Sequence, residues 1–422
     1  MPLSERMGRL QLEEVRIPAC KNMANAFGRK ANSMMKIKKR RSTTRLMPCL
    51  FIFGLLIASC GQRANDKKQH ALKTGSAEIK YAKGFNIDYY DGYKLVSIYS
   101  GSGTSKDTIQ YVLLGEGKTA PAGYGNAQII HIPLKKLVAM SSMHVALADF
   151  AGSADAIVGL GSLKYVSSPI VRANIKAGKV KEVGIDGTMN DEVLISMKPD
   201  LLMVMGNPDA KFSKYQTLSG AGVPVMLNSE WLETTPLGRA EWVKLMAALM
   251  NKEAQVNAKF NAVEKEYHQL AEIGGKAVNK PAVISGMPYK GTWYVPDGDS
   301  YMVVFLKDAG TTYKWGTVHG TGSLALNFET VAPEALKADF WLNIGYVDSK
   351  KDILAQDARY AAFKPFKTGK LYNYNKRVNE IGSNDYWESG AVCPQVILAD
   401  LIRIVHPELL PDHQLVYYKQ LN

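Results

Sequence analysis

The sequence predicts an α/β protein in which two α/β lobes are joined by a long helix and preceded by a small strand-rich segment. Three observations support this prediction. Short apolar strands alternate with helical segments both before and after residue 260. A helical stretch without strands separates these two regions. Near the amino terminus, short alternating strands are separated by glycine-rich turns.

Residues 1–59 predict a leader that the mature protein does not retain. A block of lysine and arginine at 36–45 precedes an apolar run at 46–58, and small residues stand directly before Cys60. This pattern is typical of a bacterial lipoprotein signal, which is cleaved so that the cysteine becomes lipidated. The apolar run is shorter than the roughly 20 residues that a membrane-spanning helix needs. Because the basic block follows Met34 and Met35, we interpret the first 33 residues as an upstream extension.

The charge of the chain is concentrated in this leader. The whole sequence has a formal net charge of +13, and twelve Lys and Arg against three acidic residues lie in residues 1–59. The remaining chain therefore has a net charge of only +4. It contains no dense basic patch interleaved with aromatic residues, so we expect no nucleic-acid partner.

The elements of the mature chain follow in order. Residues 60–80 are polar and aperiodic, which predicts a flexible tether. Residues 81–132 contain alternating runs at 94–99, 109–113 and 128–132, which predict a strand-rich preface.

The two lobes are predicted on either side of the helical stretch. Residues 133–250 (the N-lobe) contain strands at 137–140, 156–160, 201–205 and 224–227, with helices at 143–150 and 190–197. Residues 275–422 (the C-lobe) contain strands at 282–285 and 340–344, with helices at 301–309 and 330–336.

The helical stretch between the lobes has clear boundaries. Thr235-Pro236 is a good N-cap and N1 pair for a helix that runs to about Met250. An inter-lobe helix follows at 251–274, with apolar residues in steps of three and four at Val256, Phe260, Val263, Tyr267 and Leu270. At roughly 1.5 Å per residue it is about 35 Å long, enough to connect two lobes. We expect only small lobe motions, because large ones would bend this helix.

Several segments of the lobes resemble a known family. They are Leu137-Val138-Ala139-Met140-Ser141-Ser142, Ile157-Val158-Gly159-Leu160-Gly161, Met197-Lys198-Pro199-Asp200-Leu201, Asn327-Phe328-Glu329-Thr330-Val331 and Ala338-Asp339-Phe340-Trp341. In this order they resemble the helical-backbone (class III) substrate-binding proteins of ABC importers for iron–siderophores, haem and cobalamin. The resemblance covers roughly residues 135–415. It implies two Rossmann-like lobes, a monomer, and binding without catalysis.

The resemblance also implies where the permease docks. In this family an exposed glutamate on each lobe contacts arginines of the transmembrane subunits, and the matching residues here are Glu192 and Glu329. Acidic residues are also common at helix N-termini for dipole reasons alone. Docking is favoured because the two positions are equivalent in the two lobes.

A ligand is expected in the cleft between the lobes, where loops converge at the ends of the sheet strands. Aromatic residues are frequent in these loops and suit a planar or chelate ligand. The predicted ligand-binding residues are Tyr165, Trp231, Tyr289, Trp293, Tyr294 and Trp315. The loop at residues 384–388 is a weaker candidate.

Other functions have less support in the sequence. A direct zinc or manganese site needs several converging ligands, whereas the seven histidines are widely spread and only His144 and His319 are candidates for the cleft. No hydrolase motif of the G-x-S-x-G or H-E-x-x-H type is present. A lipoprotein that sequesters a ligand or acts as a chaperone, without any permease, is a further alternative.

We therefore predict a periplasmic, lipid-anchored substrate-binding protein of an ABC importer. It captures an iron chelate, with a ferric siderophore favoured over haem or cobalamin, and delivers it to the permease. No resident cofactor or metal is expected.

Overall fold

The computed structural model describes residues 72–100, 107–125, 127–185, 187–206 and 212–422. The predicted leader and Cys60 lie outside these ranges. Within them, no helix combines the length and the apolar character that a membrane span requires.

The strand-rich preface forms a five-stranded sheet in the order β1-β2-β3-β4-β5. All neighbours are antiparallel except β4 and β5, which are parallel. The strands are β1 (Lys73–Ser76), β2 (Phe85–Tyr90), β3 (Tyr93–Ser100), β4 (Asp107–Gly115) and β5 (Gln128–Ile132). The first strand corrects the prediction of a flexible tether up to residue 80, because backbone pairing with β2 holds residues 73–76 in place.

The N-lobe has a five-stranded parallel sheet in the order β10-β9-β6-β7-β8. Its strands are β6 (Leu137–Ala139), β7 (Ile157–Leu160), β8 (Lys181–Glu182), β9 (Leu201–Met205) and β10 (Val225–Asn228). Its helices are α1 (Ser142–Phe150), α2 (Pro169–Lys176), α3 (Asp191–Met197), α4 (Gln216–Gly220), α5 (Pro236–Glu241) and α6 (Val243–Met250). The sequence predicts one helix from Thr235 to Met250, whereas the structure has two, α5 and α6, which are separated at Trp242. The indole nitrogen of Trp242 donates to Glu233 over 3.0 Å.

The preface covers the open edge of this sheet. The side chain of Gln128 donates to the carbonyl of Val225 and accepts from its backbone N–H, both over 2.8 Å, as a neighbouring strand would. The hydroxyl of Tyr111 accepts from the N–H of Leu227 over 3.1 Å. Because unpaired edge strands invite aggregation, these bonds protect β10.

The segment that connects β1 to β2 is fastened to the helices of the N-lobe. The carboxylate of Glu241, which is fully buried, accepts hydrogen bonds from the backbone N–H groups of residues 80–82. Glu233 does the same for residues 83 and 84. Residues 73–80 therefore belong to the folded protein, in contrast to the predicted tether.

The inter-lobe helix is α7 (Glu253–Gly275). It begins after Asn251, whose left-handed conformation ends α6. Its buried positions include all five of the predicted apolar residues. The helix packs against α6 of the N-lobe and against two helices of the C-lobe, at residues 301–308 and 394–405.

The C-lobe has a second five-stranded sheet and a three-stranded antiparallel sheet. Its strands are β11 (Ala282–Ser285), β12 (Pro288–Tyr289), β13 (Thr292–Pro296), β14 (Thr312–Tyr313), β15 (Ser323–Leu326), β16 (Phe340–Leu342), β17 (Leu371–Asn373) and β18 (Lys419–Gln420). The larger sheet has the order β14-β11-β16-β17-β18 and is parallel except for β18. The smaller sheet has the order β12-β13-β15.

Helices cover this lobe and complete the contact between the lobes. They are α8 (Tyr301–Asp308), α9 (Phe328–Ala335), α10 (Lys350–Gln356), α11 (Lys364–Thr368), α12 (Ser389–Val392) and α13 (Pro394–Val405). The short helix α12 packs against α1 and α5 of the N-lobe, and α13 packs along α7. The α/β class, the two lobes and the connecting helix agree with the sequence prediction.

Candidate functional site

The carboxyl edges of the two parallel sheets carry the loops in which a ligand site is expected. At the N-lobe edge, a solvent-open depression of about 70 Å³ lies between the ends of β6 and β7. Its lining includes Met140, Ser141, Gly161 and Tyr165. A second depression, lined by residues such as Pro199 and Pro224, precedes β9 and β10 and so lies at the opposite edge of the sheet.

Two of the predicted aromatic residues lie at the N-lobe edge and are accessible. Tyr165 is 62% exposed and lines the depression. Trp231 is 40% exposed, and its indole nitrogen donates to the carbonyl of Gly206 over 2.7 Å, directly after β9. Both side chains are therefore available to a ligand.

Two further predicted residues lie on the three-stranded sheet of the C-lobe. Tyr289 is 65% exposed and Tyr294 is 50% exposed. Tyr294 lies in β13, where Trp293 and Val295 on either side of it are fully buried. This alternation follows from the two-residue period of a strand, which turns Tyr294 towards solvent.

The prediction that Trp293 and Trp315 contact ligand is wrong. Trp293 has no exposed surface, and its indole nitrogen donates to the carbonyl of Ser285 over 3.0 Å. Trp315 belongs to the same hydrophobic core, with Trp341. Both indoles fill the space between the sheets and helices of the C-lobe, so they stabilise the lobe and do not face a ligand.

Other aromatic residues at the C-lobe edge are exposed, as a residue that contacts ligand must be. Tyr346 follows β16 and is the most exposed aromatic side chain among the residues described. Trp387 is 44% exposed and lies after β17, in the loop at residues 384–388 that the sequence favours less strongly as a ligand-binding segment. The same criterion, an aromatic residue in the loop after a strand, would have selected Tyr346 from the sequence.

Arg239 connects the two lobes beside Trp231. Its guanidinium lies 4.1 Å from the ring centre of Tyr301, at the start of α8, and donates to the carbonyl of Trp231 over 2.9 Å. Burial raises the pKa of the nearby Glu230 to about 7, although the charge of Arg239 acts in the opposite direction. The cation of Arg239 therefore contacts both lobes.

The two predicted docking glutamates are accessible and have the same local geometry. Glu192 is exposed in the first turn of α3, and Glu329 is exposed in the first turn of α9. Glu329 lies 3.9 Å from Arg359, a pair that solvent largely screens. Negative charge is favourable at both helix N-termini.

The two histidines considered for a metal site do not form one. His144 is completely buried, and burial lowers its pKa to about 3. His319 is highly exposed and lies 3.2 Å from Asp299. Within the described ranges, no group of three His, Cys, Asp or Glu side chains is placed to hold a metal ion.

Comparison with known proteins agrees with this architecture. A family model described as "Periplasmic binding protein" matches residues 142–378. An uncharacterized lipoprotein of Methanocaldococcus jannaschii is 27% identical over 82% of this chain and 85% of its own length. A second uncharacterized lipoprotein of that organism is 26% identical over 86% of this chain and 91% of its own length.

Solved structures with the same fold include two metal or haem binders. A periplasmic haem-binding protein of Pseudomonas aeruginosa is 15% identical, with a TM-score of 0.51 over 68% of this chain and 98% of that chain. Helicobacter pylori CeuE with Ni(II) bound is 19% identical, with a TM-score of 0.51 over 69% of this chain and 90% of that chain. At these identities the likeness is one of fold.

Proposed function

Because the chain belongs to the periplasmic binding protein family, we propose that it captures an iron chelate outside the cytoplasmic membrane and delivers it to an ABC permease. The family consists of solute-binding proteins and not of enzymes. The observation that carries the proposal is the set of exposed aromatic side chains at the carboxyl edges of both sheets, which includes Tyr165, Trp231, Tyr346 and Trp387.

The chemistry of these side chains favours a bulky conjugated or chelate ligand. Aromatic rings bury a large area with little loss of rotamer freedom, and they stack on planar or chelate surfaces. Arg239 adds a cation, which favours ligands with anionic oxygen atoms. The haem-binding and nickel-bound proteins of the same fold are consistent with this class of ligand. A ferric siderophore is our first choice, followed by haem and cobalamin.

Delivery to a permease is supported by Glu192 and Glu329. Each is exposed at the start of a helix, one in each lobe, where a partner protein can reach it. Membrane attachment is supported by the leader that ends at Cys60 and by the name lipoprotein of two relatives. The protein would thus remain close to the permease while it binds ligand.

The test is a titration of the mature chain from Gly61 onward with ferric siderophores, hemin and cobalamin at matched concentrations. Tryptophan fluorescence is the readout, since Trp231 and Trp387 are partly exposed. We expect saturable quenching by one class at submicromolar concentration, about −8 kcal/mol or stronger in binding free energy. Quenching that is equally weak for all three would contradict the proposal.

Replacing the exposed tryptophans separates binding from incidental quenching. A Trp231→Phe variant keeps an aromatic face but loses the fluorophore at the N-lobe edge, and Trp387→Phe does the same in the C-lobe. If ligand lies between the lobes, each variant loses part of the quenching while calorimetry still detects binding.

A further inference from the structure

A group of hydrogen bonds joins a loop of the N-lobe directly to a loop of the C-lobe. We name it the inter-lobe clasp. Its members are Val166, Ser167 and Ser168 of the N-lobe and Asn379, Ser383 and Glu388 of the C-lobe. The two loops are more than 200 residues apart in the sequence.

Glu388 makes the central contacts of the clasp. Its carboxylate accepts hydrogen bonds from the backbone N–H of Ser167 over 2.7 Å and of Ser168 over 2.6 Å. Around it, the hydroxyls of Ser167 and Ser383 are 2.9 Å apart, and the amide of Asn379 donates to the carbonyl of Val166 over 3.0 Å. All four hydrogen bonds join the same two loops, so together they fix the position of one loop relative to the other.

Burial of the carboxyl group of Glu388 is unfavourable in free energy, because the group loses its contact with water. Only 2% of the residue is exposed, and in the part of the chain that the structure describes it makes no ion pair. The guanidinium of Arg377 is paired with Asp385 over 2.7 Å. Burial raises the pKa of Glu388 to about 8, with Asp385 and Asp149 acting in the same direction and the two backbone N–H groups acting against it. Such a group is tolerated only where its hydrogen bonds are well made.

Two residues of the clasp are the sequence neighbours of aromatic residues of the proposed cleft. Tyr165 directly precedes Val166 in the N-lobe loop, and Trp387 directly precedes Glu388 in the C-lobe loop. Both aromatic side chains are exposed. A hydrogen bond that fixes one loop against the other therefore also fixes the backbone positions from which these two side chains project.

We propose that the inter-lobe clasp sets the spacing of the two lobes and holds Tyr165 and Trp387 at a fixed separation, with Glu388 as the positioning residue. The lobes are also joined by α7, by the packing of α12 against α1 and α5, and by the contact of Arg239 with Tyr301. The clasp adds hydrogen bonds to these contacts, so a change in the spacing of the lobes would break the bonds from the backbone N–H groups of Ser167 and Ser168 to Glu388. The cleft is then preorganised for a ligand of one size, so less conformational entropy is lost when the ligand binds.

The test measures the distance between the lobes by pulsed electron spin resonance. Spin labels are attached at Lys179→Cys in the N-lobe and Lys337→Cys in the C-lobe, since both lysines are exposed whereas the native Cys393 is buried. Glu388→Ala removes both acceptors, and Glu388→Gln keeps one oxygen. With the clasp broken, we expect the width of the distance distribution to increase about twofold in Glu388→Ala and less in Glu388→Gln.

The matched control is Asp200→Ala. Asp200 also accepts from two consecutive backbone N–H groups, those of Lys135 and Lys136, but all three residues belong to the N-lobe. We expect this variant to lose stability and to keep the narrow distribution of the unmodified protein. Equal widths for Glu388→Ala, Asp200→Ala and the unmodified protein would overturn the proposal. If Glu388→Ala does not fold, an unchanged width in Glu388→Gln together with an unchanged width in Ser383→Ala would do the same.

Discussion

Glu192 and Glu329 occupy the same position in two helices, one in each lobe. Each is the second residue of its helix, after an asparagine N-cap whose side chain accepts from the third residue of that helix, over 3.0 Å for Asn190 and 2.8 Å for Asn327. The asparagine caps fix the first turn, so both carboxylates are presented on an ordered backbone. This repeated geometry is what a two-point docking surface would require.

We predict that the double variant Glu192→Ala, Glu329→Ala abolishes transport and leaves ligand affinity unchanged. The carboxylates are exposed and contact no part of the proposed cleft, whereas permease arginines would lose both partners. Uptake by reconstituted vesicles and titration calorimetry measure the two effects. Glu272→Ala, an exposed glutamate on α7, is the control and should transport normally. Normal uptake by the double variant would rule out docking at these residues.

The neighbours Trp293 and Tyr294 should behave in opposite ways when replaced by alanine. Trp293→Ala leaves a cavity in the core and should lower the free energy of unfolding by about 3–5 kcal/mol. Tyr294→Ala, on the outer face of the same strand, should change it by no more than about 0.5 kcal/mol. Denaturant unfolding measures both. If Tyr294 contacts ligand, its variant also binds more weakly, and unchanged binding would remove it from the site.

Glu241 should be essential for attachment of the preface. Its buried carboxylate accepts from three backbone N–H groups and pairs with Lys244 over 2.7 Å. Glu241→Ala leaves that buried cation and those N–H groups without a partner, so we expect a loss of about 3–5 kcal/mol in unfolding free energy. Proteolysis should then cleave first between residues 77 and 84. A variant as stable as the unmodified protein would show that the preface is held by other contacts.

Stability should fall as the pH rises towards 8, partly because of Glu388. The folded protein holds the proton of Glu388 up to a pKa of about 8, whereas an ordinary glutamate loses it near 4.5. Its stabilising contribution is therefore fully present below the ordinary pKa and is lost as the pH rises through the raised one. In Glu388→Gln the melting temperature should depend less on pH across this window. Parallel curves for the two proteins would contradict the raised pKa.

Cys60→Ser should abolish lipidation of the protein. A serine cannot be lipidated, so cleavage and anchoring at this position would both fail. Incorporation of labelled fatty acid in cells that express each form measures the effect. Equal label in both forms would show that Cys60 is not the lipidated residue.

The elements and the lobes were largely predictable from the sequence, because hydrophobic periodicity reports which side of an element is buried. The five apolar positions of α7, from Val256 to Leu270, were all identified correctly. The same reasoning placed β9 and β11 at their observed bounds. A strand such as β1, with mostly exposed residues, has no such pattern and was missed.

The sequence by itself determined the leader pattern and the α/β class, since both depend on residues that are close together in the chain, whereas Glu192 and Glu329 were proposed for docking from the resemblance to a family. Only the tertiary structure decided which aromatic residues are accessible and which belong to the core, as Trp293 and Trp315 show. It also decided the contacts of Glu241 and Glu388, whose backbone partners lie about 160 and 220 residues away. A carboxylate that binds backbone N–H groups has no preferred sequence partner, so such contacts become visible only when the chain is folded.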